Sequence, residues 1–420
     1  MKLNPDWLAW KQTQKLIKAF ADAGKSAELR FVGGAVRDSL LGINVSDVDA
    51  ATTLTPQAVM ELLQQADIRA IPTGIKHGTI TAAIDGKNFE ITTLRRDTAC
   101  DGRHAEVEFT DNWQEDAARR DFAMNALYLS ADGELFDYFF GADDARAGRV
   151  RFIGDARQRI TEDYLRILRF FRFFAYYGKN DADKTALAAC SEFAEKIESL
   201  SGERIQHEML KLLAAPAPFS TLALMQNAGV LKQIFGFDIC LRHPELVEGS
   251  LQNKVKISRI ARNDKIFSSR PRNKCGVTML AFLLLNAEIP PVDALNILAD
   301  RWRLSNDLKR YLLTIATHIN DISANIPTSR QKQLIRKLGA EIFSDIILLK
   351  QELQPRENYS EMLALAENWQ IPIMPVSGKD LIELGIPEGK ILGEKLHKLE
   401  KIWEESDYKF GKEDLYKHIG

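Results

Sequence analysis

No run of apolar residues in this 420-residue chain reaches the roughly 20 needed to cross a bilayer. The N-terminus also lacks the charged, apolar and small-residue layout of a secretory signal, so a cytoplasmic protein without membrane contact is expected. Cysteine is scarce: Cys100, Cys190, Cys240 and Cys275 are widely spaced and form no C-x-x-C pair. That pattern supplies neither a zinc site nor a disulfide framework, and the four read as ordinary thiols. Neither sign of charge is in excess, with 56 Lys/Arg against 58 Asp/Glu and a net charge of −2. This argues against attraction of nucleic acid by the whole surface, so any RNA contact must come from a local basic stripe.

What is present is ordinary globular composition, 45% apolar and 27% charged, on a chain too long for one hydrophobic core. Residues 1–24 read as a helix. Short β-rich runs follow at Leu29–Val32, Val48–Thr53, Thr79–Ile84, Phe89–Leu94 and Ala126–Leu129. Beyond Gly154 the period becomes helical, first over Glu162–Tyr177 and Gly202–Ala214, and stays so to the end. The expected class is α+β: a mixed-sheet head over 1–152, then an all-α neck (153–216), body (217–350) and tail (351–420).

One stretch interrupts the body. Residues 242–274 hold nine Lys/Arg against three Asp/Glu and few large apolar positions, with Pro244 and Pro271 near the ends. It reads as an insertion, and its opening resembles the translated palindromic repeats found inside some intracellular bacterial genes. The two readings of it are a disordered or self-contained helical segment tolerated at a loop, and a segment that binds RNA.

The chemistry concentrates between Gly33 and Asp49. Phe31-Val32 runs as a strand into Gly33-Gly34, and Ala35-Val36-Arg37-Asp38 continues as a helix. Glycines there permit positive φ and close backbone approach, the first helical N–H groups can hold a phosphate, and Arg37 adds a cation. In Asp47-Val48-Asp49 strand alternation puts two carboxylates on one face. Such oxygen ligands suit Mg²⁺, and a two-ion site can serve both the attacking hydroxyl and the departing pyrophosphate. Glu90, an acid between Phe89 and Ile91 in a strand-like run, is the candidate third carboxylate. A Gly-Gly turn alone is usually a turn, and a D-x-D alone is often a solvated pair. Their conjunction within seventeen residues, in the order needed to converge on one phosphate, carries the argument.

Gly33-Gly34-Ala35-Val36-Arg37-Asp38 with Asp47-x-Asp49 resembles the signature of the class II tRNA nucleotidyltransferase and bacterial poly(A) polymerase family. Arg119-Arg120-Asp121-Phe122 with Asn125-Ala126-Leu127 is similar to its R-R-D-F-x-x-N-A-L segment, and Glu162-Asp163 with Arg166 to its E-D-x-x-R segment. Glu203-Arg204 with Glu208 resembles the neck helix that follows. The resemblance implies a polymerase-β-type head and transfer of C, C and A from CTP and ATP to the 3′ end of tRNA. The family's other activity, poly(A) synthesis on RNA 3′ ends, is the alternative. Its relatives commonly carry long basic tails, and this chain ends without one.

Asp163 and Arg166, three apart on a helix expected to begin near Thr161, would lie about 60° apart around its axis. The carboxylate can accept from the exocyclic amine of cytosine or adenine while the guanidinium donates to the adjoining ring acceptor. Uracil and guanine present a carbonyl there and are refused, so the protein itself would act as template. The competing reading is a surface i,i+3 salt bridge. Arg169 and Arg172 continue the spacing toward triphosphate or RNA, each step rotated further away. Arg119 and Arg120 are candidates for phosphate or RNA contacts. Asn125 suits a sugar contact or an equally good core-edge role.

Asp97–Thr110 reads as a flexible polar loop, which in this family helps the pocket change from C to A. No histidine is followed by Asp, so the phosphohydrolase domain of some relatives is not expected. Lys309, Arg310, Arg330, Lys332, Arg336 and Lys337 either track a tRNA backbone or form a solvated helix face. A transferase fold that only binds RNA would need a broken carboxylate set. Transfer to a protein or antibiotic hydroxyl would leave Asp163/Arg166 and the helical body unexplained.

Overall fold

The computed structural model describes residues 1–24, 27–100, 105–216, 218–241, 274–354 and 356–419. Two compact units divide them. The first takes in the described residues of Met1–Val255 and Arg270–Val277 with Asp300–Arg303; the second takes in those of Thr278–Ala299 and Leu304–Gly420.

The first unit opens with α1 (Lys11–Asp22), β1 (Leu29–Val32), α2 (Gly34–Leu40), β2 (Val48–Thr52), α3 (Pro56–Gln65), β3 (Arg69–Gly74), β4 (Thr79–Ile84) and β5 (Lys87–Thr93). Then come a hairpin of β6 (Arg95–Cys100) and β7 (Ala105–Phe109), helix α4 (Trp113–Ala118), β8 (Leu127–Ser130), β9 (Leu135–Asp137) and α5 (Gly141–Ala147). Beyond these every described regular element is helical, beginning with α6 (Ala156–Glu162), α7 (Leu165–Tyr177), α8 (Lys184–Glu192) and α9 (Gly202–Leu213). The α+β class, a mixed-sheet head with a helical remainder, is as expected. No helix among the described residues is long and apolar enough to cross a membrane.

Seven strands form one sheet in the order β3-β4-β5-β2-β1-β8-β9. It is mixed because β2 and β5 run parallel while its other neighbouring pairs are antiparallel. Strand alternation sorts the central residues between two cores. Leu29, Phe31, Val48 and Ala50 pack with Leu16 and Phe20 of α1 and with Val59 and Leu63 of α3. Val32 and Ala51 face the opposite way, onto Leu94, Trp113, Ala117 and Tyr128. Asp49, two residues before Ala51, therefore belongs to this second face. The sheet's own hydrophobic pattern fixes where the acid points.

β3 escapes a reading by pattern because Pro72 interrupts it. As the outermost strand of the sheet it tolerates a residue that cannot donate to a ladder. The stretch expected to be a flexible loop, Asp97–Thr110, is largely the β6–β7 hairpin, the polar start of β6 having outweighed the alternation of β7; its centre, 101–104, lies outside the described residues. The proposed insertion 242–274 also lies outside them except for Lys274, which starts a helix running to Leu285.

A further correction concerns the expected helix through Glu162. α6 ends at Glu162, Asp163 is extended at φ −156° and ψ 109°, and α7 begins at Leu165. The cause is local: an Asp163 carboxylate oxygen accepts the Leu165 N–H at 3.1 Å, offering the backbone a partner other than the helical carbonyl.

The second unit is helical, with Asn306–His318, Thr328–Leu338, Ala340–Leu353, Ser360–Asn368 and Lys390–Glu405 among its helices. Val376, Leu381, Leu399, Trp403 and Leu415 form a small core of its own. Part of the basic set considered for tRNA tracking is engaged there: Lys332 pairs with Asp407 at 2.8 Å, Arg336 with Glu400 at 2.6 Å and Glu404 at 3.0 Å, and Arg310 with Asp307 at 2.8 Å.

Candidate active site

The turn between β1 and α2 requires glycine at its first position, because Gly33 has φ +74° and ψ −126°, where a side chain is strained. Its N–H donates to the Leu127 carbonyl of β8 at 3.2 Å, which pins the turn to the sheet. Two guanidinium groups border the turn. Arg37 Nη2 lies 3.6 Å from where a Gly34 Cβ would stand, and Arg120 Nη1 lies 3.8 Å from a Gly33 Cβ. Arg37 is buried and donates to Asp38 at 2.9 Å, Asn125 Oδ1 at 2.5 Å and the Tyr177 hydroxyl at 2.6 Å, with the Tyr177 ring 4.2 Å below it. Expected as a phosphate ligand, it joins α2 to α7 and to the Asn125 turn. Asn125 is buried beside it and donates to Asp121 at 3.1 Å, the core-edge arrangement.

The acids lie on the same side of the sheet as Ala51. Asp49 is level with Val32 across the antiparallel β1/β2 pair and with Glu90 across the parallel β2/β5 pair. Asp47 sits one residue before β2 and accepts a hydrogen bond from Ser46 Oγ at 2.8 Å. Crowding is felt most at Asp49: burial of its surroundings, then the charge of Glu90 and that of Asp47, push it up to about 6 against the opposing charge of Arg120. Its side chain nevertheless stays open to solvent. Two oxygen-bearing acids level on neighbouring strands, with a third just before one of them, fit a hard divalent cation such as Mg²⁺. Among the described residues, no three His, Cys, Asp or Glu side chains converge closely enough to cage an ion by themselves. Glu90, the expected third carboxylate, stands level with Asp49 on the neighbouring strand.

Arg119 and Arg120 share an acid that sequence reasoning passed over. Asp116, 1% exposed on α4, accepts from Arg119 Nε at 2.8 Å through one oxygen, and from Arg120 Nη2 at 3.1 Å and the Tyr128 hydroxyl at 2.7 Å through the other. The available signal was spacing, since Asp116 precedes the two arginines by three and four residues on a helical turn. Burial raises the Asp116 carboxyl, but Arg120, Arg119 and the Tyr128 hydroxyl outweigh it and bring it down to about 2. A carboxyl lowered in the folded state stabilises the fold above the ordinary Asp value near 4, and that contribution disappears as pH falls through 2. It amounts to about 2 kcal/mol. In urea unfolding followed from pH 5 to pH 2, Asp116→Asn is expected to be less stable at pH 5 and to lose stability less steeply. Parallel curves for the two proteins would refute this account of Asp116.

The candidate base-reading residues are each held by a separate partner. Asp163 pairs with Arg204 of α9 at 2.7 Å, whereas Arg166 donates through Nη1 to Glu162 and to the Arg159 carbonyl. Arg169 pairs with Asp121 at 2.5 Å, and Arg172 with the buried Glu208 at 2.6 Å. Asp163 and Arg166 thus do not stand as a pair on one continuous helix. The break between α6 and α7 sets them on either side of a turn, with the Arg166 N–H bonded to the Asp163 carbonyl at 3.0 Å. Both carboxylate oxygens of Asp163 keep a lone pair beyond their bonds to Leu165 and Arg204.

This architecture has counterparts. Residues 29–151 match the family model "Poly A polymerase head domain", and residues 276–403 match a tRNA nucleotidyltransferase domain 2 model. The chain is 37% identical to the mouse (Mus musculus) "CCA tRNA nucleotidyltransferase 1, mitochondrial" over 94% of its own length and 87% of the relative's. The chain belongs to the CCA tRNA nucleotidyltransferase family. A "CCA-adding enzyme" of Lactobacillus johnsonii is 29% identical across 96% of this chain and 94% of its own. Among solved structures, the Bacillus stearothermophilus CCA-adding enzyme in complex with CTP superposes with a TM-score of 0.73 at 26% identity, covering 95% of this chain and 94% of that one. The Thermotoga maritima CCA-adding enzyme complexed with tRNA shares the fold, with a TM-score of 0.63 at 20% identity over 100% of this chain and 99% of that one.

Proposed function

We propose that this chain adds C, C and A in turn to the 3′ end of tRNA, using CTP and ATP and no nucleic-acid template. One observation carries the reading: an open acidic face, with Asp49 level with Glu90, lies on the glycine-turn sheet of a chain matching CCA-adding relatives along most of its length. The RNA 3′-oxygen bonds to the α-phosphorus of the nucleotide, the bond to pyrophosphate breaks, and the hydroxyl proton leaves. Asp47 and Asp49 are the proposed ligands of Mg²⁺, with Glu90 beside them. Bound there, the ion would lower the cost of ionising the attacking hydroxyl and steady the charge on pyrophosphate. The Gly33-Gly34 turn lets the triphosphate approach the backbone, with Arg120 as the bordering cation and Arg37 keeping the turn in shape.

Base choice falls to Asp163 and Arg166. An acceptor held by Arg204 and a donor held by Glu162 need little reordering when a base arrives, which favours a site that selects by hydrogen bonding. Arg169, Arg172 and Arg119 are assigned to the triphosphate and RNA side of the same site. A cytoplasmic location belongs to the proposal, and imaging of the tagged chain in its own cell checks it, with organelle enrichment as the contrary result.

The deciding experiment offers tRNA lacking its 3′ end with CTP alone, ATP alone, or both. Two additions with CTP and a third only when ATP is also present are expected. A long A-tract from ATP alone would instead identify a poly(A) polymerase, and no product from any mixture would remove the reading.

A further inference from the structure

Arg120 borders the glycine turn at Gly33, and the residue before that turn, Val32, is level with Asp49; yet it reaches that place from the loop after α4, a helix of six residues. A long cation left to itself there would sample many rotamers, and fixing one of them costs conformational entropy. The surroundings remove that freedom. Nη2 is held by Asp116 at 3.1 Å, Nε donates to the Tyr128 hydroxyl at 3.2 Å, and the Tyr128 ring lies 5.4 Å away. The Arg120 carbonyl is itself gripped by Arg159 Nη2 at 2.7 Å.

Asp116 is the hub of this arrangement. Besides Arg120, Tyr128 and Arg119, it accepts the backbone N–H of Arg95 at 3.3 Å, where the chain passes from β5 of the sheet into β6. That junction is anchored by Leu94, whose N–H donates to the Thr52 carbonyl at the end of β2 and whose carbonyl accepts from Thr110. Four donors from three places in the chain therefore converge on one carboxylate that is almost fully buried. It is too enclosed to meet a nucleotide. A carboxylate this deep is costly to retain unless its partners need orienting.

We propose that Asp116 is a positioning residue for nucleotide transfer: it fixes the Arg120 guanidinium against the Gly33 turn beside Asp49. The inference rests on the reading of Asp47, Asp49 and the glycine turn as the transfer site. Its effect falls on the rate of the chemical step, because a cation placed beside the reacting phosphate matters most where charge develops.

The test measures kcat and KM for CTP addition to tRNA lacking its 3′ end, at a temperature well below the melting point of each variant. Asp116→Asn is expected to lower kcat about tenfold or more while KM for CTP changes less than about threefold. Tyr128→Phe keeps the buried ring and removes only the hydroxyl that links Asp116 to Arg120. It is expected to lower kcat in the same sense by a smaller factor, and it serves if the Asp116 variant fails to fold. In an Arg120→Lys background, Asp116→Asn is expected to cost less than about twofold more, because the two act through one group. A lower melting temperature with unchanged kcat, a rise in KM alone, or full multiplication of the two losses would each overturn the proposal. Wild-type protein that adds no nucleotide would fail the transfer reading itself, a separate result.

Discussion

Asp49→Asn is expected to abolish transfer of every nucleotide, with kcat down by on the order of 10³-fold or more. A loss of about 4 kcal/mol in transition-state stabilisation corresponds to that factor, and metal-assisted charge stabilisation is of this size. The substitution keeps shape and one oxygen but removes the charge that a divalent cation needs. It also separates chemistry from folding. The folded Asp49 carboxyl, though itself open to solvent, is raised to about 6 by the burial of its surroundings and by Glu90, so its ionisation disfavours the folded state as pH rises from the ordinary value near 4 through 6. Asp49→Asn is therefore expected to be no less stable than wild type at pH 7, where activity is read. Single-turnover transfer from CTP and from ATP, with a melting curve on each protein, checks both halves. Retention of even a tenth of the activity would exclude Asp49 as a metal ligand for this reaction.

Asp163→Ala is expected to leave transfer intact while erasing the choice of base. A site that refuses a partner by facing acceptor against acceptor discriminates by about 10⁴-fold or more, and removal of the carboxylate takes away that refusal. The ratio of kcat/KM for CTP over UTP is expected to fall to within about tenfold, with Mg²⁺ dependence unchanged. Because Arg204 of α9 holds Asp163 at 2.7 Å, Arg204→Met is expected to relax the same ratio partway. Competition between labelled CTP and UTP on one tRNA reads the ratio directly. An Asp163→Ala protein that still refuses UTP would show that another group reads the base.

Several of these residues were legible in the sequence because their signals are short-range. Gly33-Gly34 before a helix, Asp47-x-Asp49, the paired Arg119-Arg120 and Glu162-Asp163 with Arg166 all announce themselves within a few positions. Strand alternation then assigned Asp49 to a face before any coordinate was needed. Less legible were the partners. Arg37 reads as a free cation until Asn125 and Tyr177, 88 and 140 residues away, are brought to it. The β6–β7 hairpin was hidden because β6 opens on the polar run Arg95-Arg96-Asp97; the strict alternation of β7, Ala105, Val107 and Phe109 against Glu106 and Glu108, was the signal passed over.

The sequence by itself determined the class of chemistry and the order of the parts: a mixed-sheet head carrying acids and a glycine turn, followed by helices carrying an acid–arginine set. These follow from periodicity and from residue types whose chemistry is local. Only the tertiary structure decided which partner each charge meets. It buried Arg37, gave Asp163 to Arg204 and Arg172 to Glu208, broke the helix at Asp163, and made Asp116 the common partner of Arg119 and Arg120. The reason is physical: a charge taken from water must be met by opposite charge or hydrogen bonds, and those partners come from whatever chain the fold brings near.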